Sequence, residues 1–182
     1  MKTISTIEAT IEILLATYNG AQYLPAWLDS LVAQTHTDWC LTVRDDGSSD
    51  DTLTIITNFA QQHAGQVRVL SNTEGNVGAK NSFAALLAAS TAPYVACADQ
   101  DDVWLPFKLQ DSLAALQALE ASHGANRPCL VFSDLVVVDA QLQAIAPSFW
   151  SYEHVQPQIA QYLSPLLTQN VAPGCTMLMN RA

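Results

Sequence analysis

The stretch Tyr94–Pro106 reads YVACADQDDVWLP and decides the fold. Its first five residues form a short apolar run that is typical of a buried strand, and the run stops at a group of acidic residues. Two runs upstream have the same form: Ile11–Ala16 precedes Thr17, and Leu41–Arg44 precedes Asp45. Each run is followed by apolar residues at helical spacing. A chain that repeats strand, polar turn and helix predicts an α/β fold.

Working outward from that stretch, the remaining apolar runs complete the pattern. Three more of them predict strands, at Val67–Leu70, Leu130–Ser133 and Cys175–Met179. Helical stripes lie between the strands, in residues 24–32, 53–59, 83–87 and 109–116. Either Ser49 or Asp50 is expected to cap the second helix, and Gly65 is expected to end it. The βαβ order predicts one domain over residues 1–182, with a mostly parallel sheet and helices on both faces.

Composition narrows the class of protein. Of 182 residues, 49% are hydrophobic and 13% are charged, which excludes intrinsic disorder. The net charge of −10 argues against a nucleic-acid partner. No apolar run reaches the roughly 20 residues of a membrane-spanning helix, and Met1–Thr10 has no apolar block typical of a signal peptide. The four cysteines are far apart and predict reduced thiols in a cytoplasmic protein: Cys40, Cys97, Cys129 and Cys175.

Polar residues at the strand ends are the candidates for a functional site. In open α/β sheets, ligands bind beyond the carboxyl ends of the strands. Three clusters fall at such ends: Thr17-Tyr18-Asn19, Asp45-Asp46 and residues 99–102. The first turn has neither a GxGxxG sequence nor a Walker phosphate loop, which argues against a dinucleotide or P-loop fold.

The third cluster concentrates negative charge. Asp99, Asp101 and Asp102 are expected to repel one another unless a positive group joins them, and a divalent cation with oxygen ligands would do so. In an extended stretch Asp99 and Asp101 would point to the same side, while Gln100 would point away. The alternative is a solvated turn that caps the helix after Pro106.

Taken together, the motifs resemble a known family. The order is residues 13–19 (ILLATYN), 44–50 (RDDGSSD), 76–78 (NVG) and 99–106 (DQDDVWLP). This series is similar to the family 2 glycosyltransferases, which are enzymes of the GT-A fold. The closing segment, residues 174–181 (GCTMLMNR), resembles the bacterial rhamnosyltransferase branch. The resemblance covers the chain from about Glu12 to Ala182.

The resemblance implies roles for residues that bind a nucleotide-sugar donor. Tyr18 would lie against the base, unless it is a core tyrosine, and Asp46 would accept from the imide N–H of a pyrimidine. Asp45 either joins the donor site or holds the loop. The other donor-binding candidates are Thr17, Asn19, Lys80 and Asp99, although Lys80 is equally expected as an exposed surface lysine.

The same resemblance implies a metal and a mechanism. Asp101, with Asp99 and Asp102, would hold Mg²⁺ or Mn²⁺, and Trp104 would pack beneath them. The expected reaction is inverting transfer from a UDP- or dTDP-sugar to a hydroxyl of a saccharide or lipid-linked saccharide, in cell-surface polysaccharide synthesis. The enzyme would work in the cytoplasm, with peripheral association at the inner face of the membrane. The family's general base is expected beyond Ala182, so no catalytic residue is assigned within a chain that we expect to be truncated before it.

Two other interpretations stay open from the sequence. One is a non-catalytic nucleotide-binding or assembly module of the same fold, which an Asp-bearing motif after Ala182 would argue against. The other is a nucleotidyltransferase that makes sugar nucleotides. Such enzymes open with a glycine-rich, basic loop, and Thr17-Tyr18-Asn19-Gly20 does not supply one.

Overall fold

The computed structural model describes residues 9–73, 75–162, 164 and 169–182. Residues 1–8 of the segment predicted not to be a signal peptide lie outside the described residues. The first half contains β1 (Ile11–Thr17), α1 (Leu24–Val32), β2 (Trp39–Asp45), α2 (Thr52–Gln62), β3 (Val67–Val69), α3 (Ala79–Ala89) and β4 (Tyr94–Ala98). The second half contains α4 (Lys108–His123), β5 (Leu130–Val131), β6 (Val137–Val138), β7 (Ala144–Ala146), α5 (Phe149–Tyr152) and β8 (Leu178–Asn180).

The main sheet has six strands in the order β3-β2-β1-β4-β8-β5. The strands β1 to β4 pair in parallel, as the βαβ pattern predicts. β8 pairs antiparallel with β4 on one side and with β5 on the other. The prediction of a mostly parallel sheet is therefore confirmed, and β8 is the strand that runs against the rest.

Alternation along β1 explains why helices cover both faces. Ile11, Ile13 and Leu15 are fully buried and pack in the larger core with residues of α1, α2 and α4. Leu14 points to the opposite face, where it packs in a smaller core with Leu86 of α3. Successive side chains of a strand point to opposite sides, so a strand buried on both faces has a continuous apolar sequence.

The N-cap residue of α2 is Asp51, not Ser49 or Asp50 as predicted, and its side chain makes no capping hydrogen bond. The Asp50 carboxylate accepts from the backbone N–H of Thr52, the first helical residue, at 3.0 Å. The helix itself ends at Gln62, three residues before Gly65, which has a left-handed φ of +92°. The glycine thus continues the chain after the helix has already ended.

Three expectations for the second half are wrong. The strand predicted at Leu130–Ser133 is shorter, Leu130–Val131. The strand predicted at Cys175–Met179 begins later, because a 3₁₀ turn over Gly174–Thr176 comes first and is closed by the Thr176 N–H on the Pro173 carbonyl at 2.9 Å. No strand is predicted between these two, yet β6 and β7 lie there and pair antiparallel with a bulge. Strands of two or three residues are too short to show a period.

Two further observations concern exposure and thiols. No helix in the described part of the chain is long and apolar enough to cross a membrane. All four cysteines are free thiols, and Cys40 and Cys175 are buried.

Candidate active site

The carboxyl ends of β1, β2 and β4 meet at one edge of the sheet. Thr17 lies opposite Asp45 in the register of β1 and β2, and Leu15 lies opposite Ala98 in that of β1 and β4. A cleft of about 220 Å³ opens there, which we call the edge cleft. It is lined by Ala16, Thr17, Tyr18, Asp46, Ala79, Ser82, Phe83, Asp99, Gln100 and Asp101. Five of the predicted site residues thus share one cleft: Thr17, Tyr18, Asp46, Asp99 and Asp101.

Asp45 holds the loop that follows β2. Its carboxylate accepts from the Thr17 hydroxyl at 2.9 Å and from the Ser48 hydroxyl at 2.5 Å. It also accepts from the backbone N–H groups of Gly47 and Ser48, at 3.2 and 2.9 Å. These contacts fix the turn and leave Asp45 buried behind the lining of the edge cleft. Of the two alternatives for Asp45, its contacts are those of the residue that holds the loop.

Asp46 is a buried carboxylate whose oxygens are largely occupied. It accepts from Arg44 at 2.6 Å, from the Val77 N–H at 3.0 Å and from the Gly78 N–H at 2.8 Å. Burial opposes its ionisation, but these hydrogen bonds and one from Ser82 outweigh that effect and hold the pKa of Asp46 below its ordinary value. Asp46 is therefore an ionised group fixed in the wall of the edge cleft.

Arg44 is the functional-site residue that the sequence reasoning missed. It is 3% exposed in β2, and besides Asp46 it donates to Ser82 at 2.7 Å and to Asn72 at 3.2 Å. Asn72 in turn donates to the carbonyls of Asp45 and Gly75. Arg44 thus ties β2, α3 and the loop before α3 together. The sequence feature that could have identified it is an arginine at the end of an apolar strand. Such an arginine is expected to be buried, and a buried cation needs a carboxylate partner.

The turn after β1 presents an aromatic ring to solvent. Tyr18 is 49% exposed and lines the edge cleft, so it is not a core tyrosine. Its backbone is held by the Gln100 side chain, which accepts from the Tyr18 N–H and donates to the Tyr18 carbonyl. The next residue, Asn19, has a φ of +47° and accepts from the Ser49 N–H at 2.8 Å. Asn19 therefore positions the turn and is not among the residues that line the edge cleft.

The end of β4 folds differently from the extended stretch expected. The chain turns over Gln100 and Asp101, so the residues before and after the turn come together. The ligand atoms of Asp99, Asp102 and Cys175 lie within 4.8 Å of one another, and Asp101 is exposed outside that group. The backbone at this point is therefore not extended as expected, although Asp99 and Asp101 both line the edge cleft. The turn instead brings Asp99 to Asp102.

The carboxylates at this end are poorly compensated. Lost hydration raises the pKa of both Asp99 and Asp102, and neighbouring carboxylates raise it further, while hydrogen bonds from Cys175 lower it. Among the described residues, no basic side chain lies within ion-pair distance of Asp99, Asp101 or Asp102. The charge of Lys108 acts on Asp102, but only from a greater distance. The end of β4 thus carries negative charge that no ion pair among the described residues neutralises.

The donor atoms at this end fit a hard divalent cation. Carboxylate oxygens are the ligands that Mg²⁺ and Mn²⁺ prefer. Burial raises the pKa of the Cys175 thiol far above its usual range, and both carboxylates raise it further. Without a metal the thiol is therefore a hydrogen-bond donor to these carboxylates, and sulfur is a poor ligand for a hard cation. Asp99, Asp101 and Asp102 are therefore the residues that could hold the cation.

Two remaining predictions concern Lys80 and Trp104. Lys80 is exposed on the first turn of α3, and the neighbours that line the edge cleft are Ala79, Ser82 and Phe83. Lys80 is thus next to Ala79 in sequence but is not among the residues that line the edge cleft. Trp104 is 5% exposed and packs edge-on against Trp27, with ring centroids 5.7 Å apart. Trp104 is therefore a packed core side chain, as predicted, and its place beneath the acidic residues stays a prediction.

Comparison with solved structures places this architecture. The crystal structure of residues 1–349 of S. aureus TarS in complex with UDP has a TM-score of 0.54 and 27% identity, over 60% of this chain and 32% of that one. A mannosyltransferase from Pyrobaculum calidifontis, in complex with GDP-Man and Mn²⁺, has a TM-score of 0.53 and 23% identity, over 64% and 33%. The fold is GT-A, as the sequence motifs predicted.

Sequence comparison gives relatives of the same kind. An uncharacterized glycosyltransferase of Nostoc sp. is 36% identical over 107 residues, which are 59% of this chain and 33% of that protein. The dTDP-rhamnosyl transferase RfbG of Shigella flexneri is 25% identical over 170 residues, 92% of this chain and 54% of that protein. The chain spans between a third and about half of the length of these relatives. The model of "Glycosyl transferase family 2" matches residues 12–178. Because that match covers most of its length, the chain belongs to glycosyltransferase family 2.

Proposed function

We propose that this chain is the donor-binding part of an inverting glycosyltransferase that uses a UDP- or dTDP-sugar. The observation that carries the proposal is the edge cleft. It joins an exposed aromatic ring from β1, an ionised carboxylate from β2 and uncompensated carboxylates from β4. A nucleotide-sugar needs an aromatic ring and a carboxylate to bind its base, and carboxylates that hold a cation beside its diphosphate. All of these groups must lie within the length of one ligand.

Tyr18 and Asp46 are the proposed base-binding pair. The exposed ring of Tyr18 offers a flat face for stacking, and Asp46 lines the same cleft. The hydrogen bonds that Asp46 already accepts keep it ionised and aimed, so a pyrimidine imide N–H would share an oxygen with an existing donor. Thr17 borders this part of the edge cleft, whereas Asn19, Asp45 and Ser48 support it from behind.

Asp99, Asp101 and Asp102 would hold the divalent cation. When bound, such an ion neutralises charge that develops on the departing diphosphate. The chain's own carboxylates would otherwise repel the diphosphate, since the protein has a net charge of −10. Lys80, exposed at the start of α3, remains a candidate for contact with the diphosphate from outside the edge cleft.

The relatives support a finer proposal for the sugar and the acceptor. RfbG is a dTDP-rhamnosyl transferase, which favours the rhamnosyltransferase-like branch. A UDP-Glc:alpha-D-GlcNAc-diphosphoundecaprenol beta-1,3-glucosyltransferase of Escherichia coli, WfgD, is 29% identical over 108 residues, 58% of this chain and 40% of that protein. We therefore propose a saccharide or lipid-linked saccharide acceptor in cell-surface polysaccharide synthesis, at the cytoplasmic face of the membrane. The general base stays a prediction for the sequence after Ala182.

Nucleotide binding tests the proposal, because it does not depend on the general base. Calorimetry with UDP, dTDP, GDP and ADP, each with Mn²⁺ and then with EDTA, is expected to give tighter binding of UDP and dTDP and a loss of affinity in EDTA. Asp101→Asn is expected to weaken the Mn²⁺-dependent binding more than Lys80→Ala does. Equal binding of all four nucleotides would contradict the assigned base pocket. Affinity that EDTA and Asp101→Asn leave unchanged would contradict the metal site.

A further inference from the structure

We propose that Gln100 is a positioning residue that holds two turns at a fixed separation. These are the base-binding turn, residues 18–20, and the acidic turn, residues 99–102. It lies between Asp99 and Asp101 in sequence, and its side chain forms hydrogen bonds with the backbone of Tyr18. The inference rests on the proposed function, because it assigns the two turns to opposite ends of one nucleotide-sugar ligand.

The first observation is a reciprocal pair of hydrogen bonds. The Gln100 Oε1 atom accepts from the Tyr18 N–H at 3.0 Å, and the Gln100 Nε2 atom donates to the Tyr18 carbonyl at 3.1 Å. The carboxamide thus satisfies both backbone polar groups of the residue that presents the aromatic ring. A single side chain joins the ends of β1 and β4 across 82 positions of sequence.

The second observation is the space that Gly20 leaves for this contact. A Cβ atom on Gly20 would lie 2.2 Å from Oε1, 2.4 Å from Cδ and 2.9 Å from Nε2 of Gln100. Gly20 has no left-handed φ, so its backbone does not require a glycine. Glycine is needed at this position because the Gln100 carboxamide occupies the space that a side chain would fill. Two residues from different elements therefore form one fitted contact.

The consequence is preorganisation of two subsites at once. Tyr18 cannot shift relative to Asp99 and Asp101 while its backbone is held by the residue between them. A ligand that stacks on Tyr18 and reaches the acidic turn through its diphosphate then finds both ends already placed. Preorganisation strengthens binding because less conformational freedom is lost when the ligand binds. In this proposal Gln100 acts by positioning Tyr18 and the acidic turn, and it does not itself bind the substrate.

A double-mutant cycle on Gly20 and Gln100 tests the fitted contact. UDP binding with Mn²⁺ is measured by calorimetry for the wild type, Gln100→Ala, Gly20→Ala and the double variant. Gln100→Ala is expected to weaken binding about tenfold, because the turn that presents Tyr18 is no longer held in place before the ligand binds. Gly20→Ala should cause a similar loss, because its methyl group displaces the flexible end of Gln100. The double variant should bind no more weakly than Gln100→Ala, since the methyl group then has room.

A second readout separates positioning from a general loss of structure. The factor by which Mn²⁺ tightens UDP binding, relative to EDTA, should fall in Gln100→Ala, while the melting temperature stays close to that of the wild type. Gln61→Ala, at an exposed position on α2, is the matched control and should change neither quantity. An unchanged Mn²⁺ factor in Gln100→Ala, or additive losses in the double variant, would overturn the inference.

The outcomes also separate this inference from the proposed function. If the wild type binds UDP in a Mn²⁺-dependent manner and Gln100→Ala matches it, only the role of Gln100 is overturned. If the wild type binds none of the four nucleotides, the proposed function fails and the inference fails with it.

Discussion

At the end of β2, the buried carboxylate of Asp46 accepts from an arginine and two backbone N–H groups, and its pKa is lowered. At the end of β4, Asp99 and Asp102 face each other beside a thiol, and their pKa is raised. The two ends look alike in sequence, since each is an apolar run followed by neighbouring aspartates. They differ in whether the protein supplies the compensating positive charge.

The difference teaches which carboxylate belongs to the scaffold and which awaits a ligand. A buried charge that is paired and hydrogen-bonded can be maintained in the folded protein without a ligand. Carboxylates that share a site without a cation destabilise each other until something positive binds. The β2 end is thus a finished wall of the edge cleft. In the proposed function, the β4 end is completed by a bound cation.

The largest expected effect comes from the same substitution made at each end. Asp46→Asn should lower the free energy of unfolding by about 3–5 kcal/mol, because Arg44 is left buried without its carboxylate. Asp101→Asn, at an exposed position, should change it by less than about 0.5 kcal/mol. Urea unfolding in EDTA measures both. Equal losses for the two variants would show that the contrast between the ends is not real.

The next effect in size is stabilisation by Mn²⁺ alone. At a hundredfold excess over its dissociation constant, a ligand that binds only the folded protein stabilises it by about 2.7 kcal/mol. The double variant Asp99→Asn, Asp102→Asn should lose this gain, whereas Asp29→Asn, exposed on α1, should keep it. Thermal melts with Mn²⁺ and with EDTA measure the gain. If the double variant retained it, the cation would be held elsewhere.

The contrast between the ends also explains how far the sequence could be read. The ends of β1, β2 and β4 were predictable because apolar runs stop at polar residues. The pairing of Asp99 with Asp102 was not, since it depends on a turn in a stretch that lacks glycine. Cys175 contacts them from the 3₁₀ turn before β8, more than 70 positions later in the sequence. Arg44 likewise donates hydrogen bonds to Ser82 and Asn72, which belong to other parts of the fold. Contacts of that kind depend on the folded arrangement and leave no local pattern.

A smaller, pH-dependent effect follows from the lowered pKa of Asp46. The folded protein releases the Asp46 proton at a lower pH than the unfolded chain, whose pKa is about 3.9. The stability that this carboxylate contributes is therefore complete above the unfolded pKa and is lost as the pH falls through the folded pKa. Urea midpoints from pH 3 to pH 6 should rise less steeply for Asp46→Asn than for the wild type. Identical slopes for the two proteins would contradict the assignment.

The smallest expected effect concerns the thiol at the β4 end. Cys175 contacts both Asp99 and Asp102, and burial raises its pKa, so it is protonated and donates a weak hydrogen bond. Cys175→Ser keeps a donor of similar shape and should change stability by less than about 1 kcal/mol.

Cys175→Ser should also leave the ratio of the affinities for Mn²⁺ and for thiophilic Cd²⁺ unchanged, and so should the control Cys129→Ser. A selective loss of Cd²⁺ affinity in Cys175→Ser would make the thiolate a metal ligand, because Cd²⁺ gains most from sulfur. The β4 end would then be a mixed sulfur and oxygen site, and its carboxylate oxygens alone would no longer determine which cation it selects.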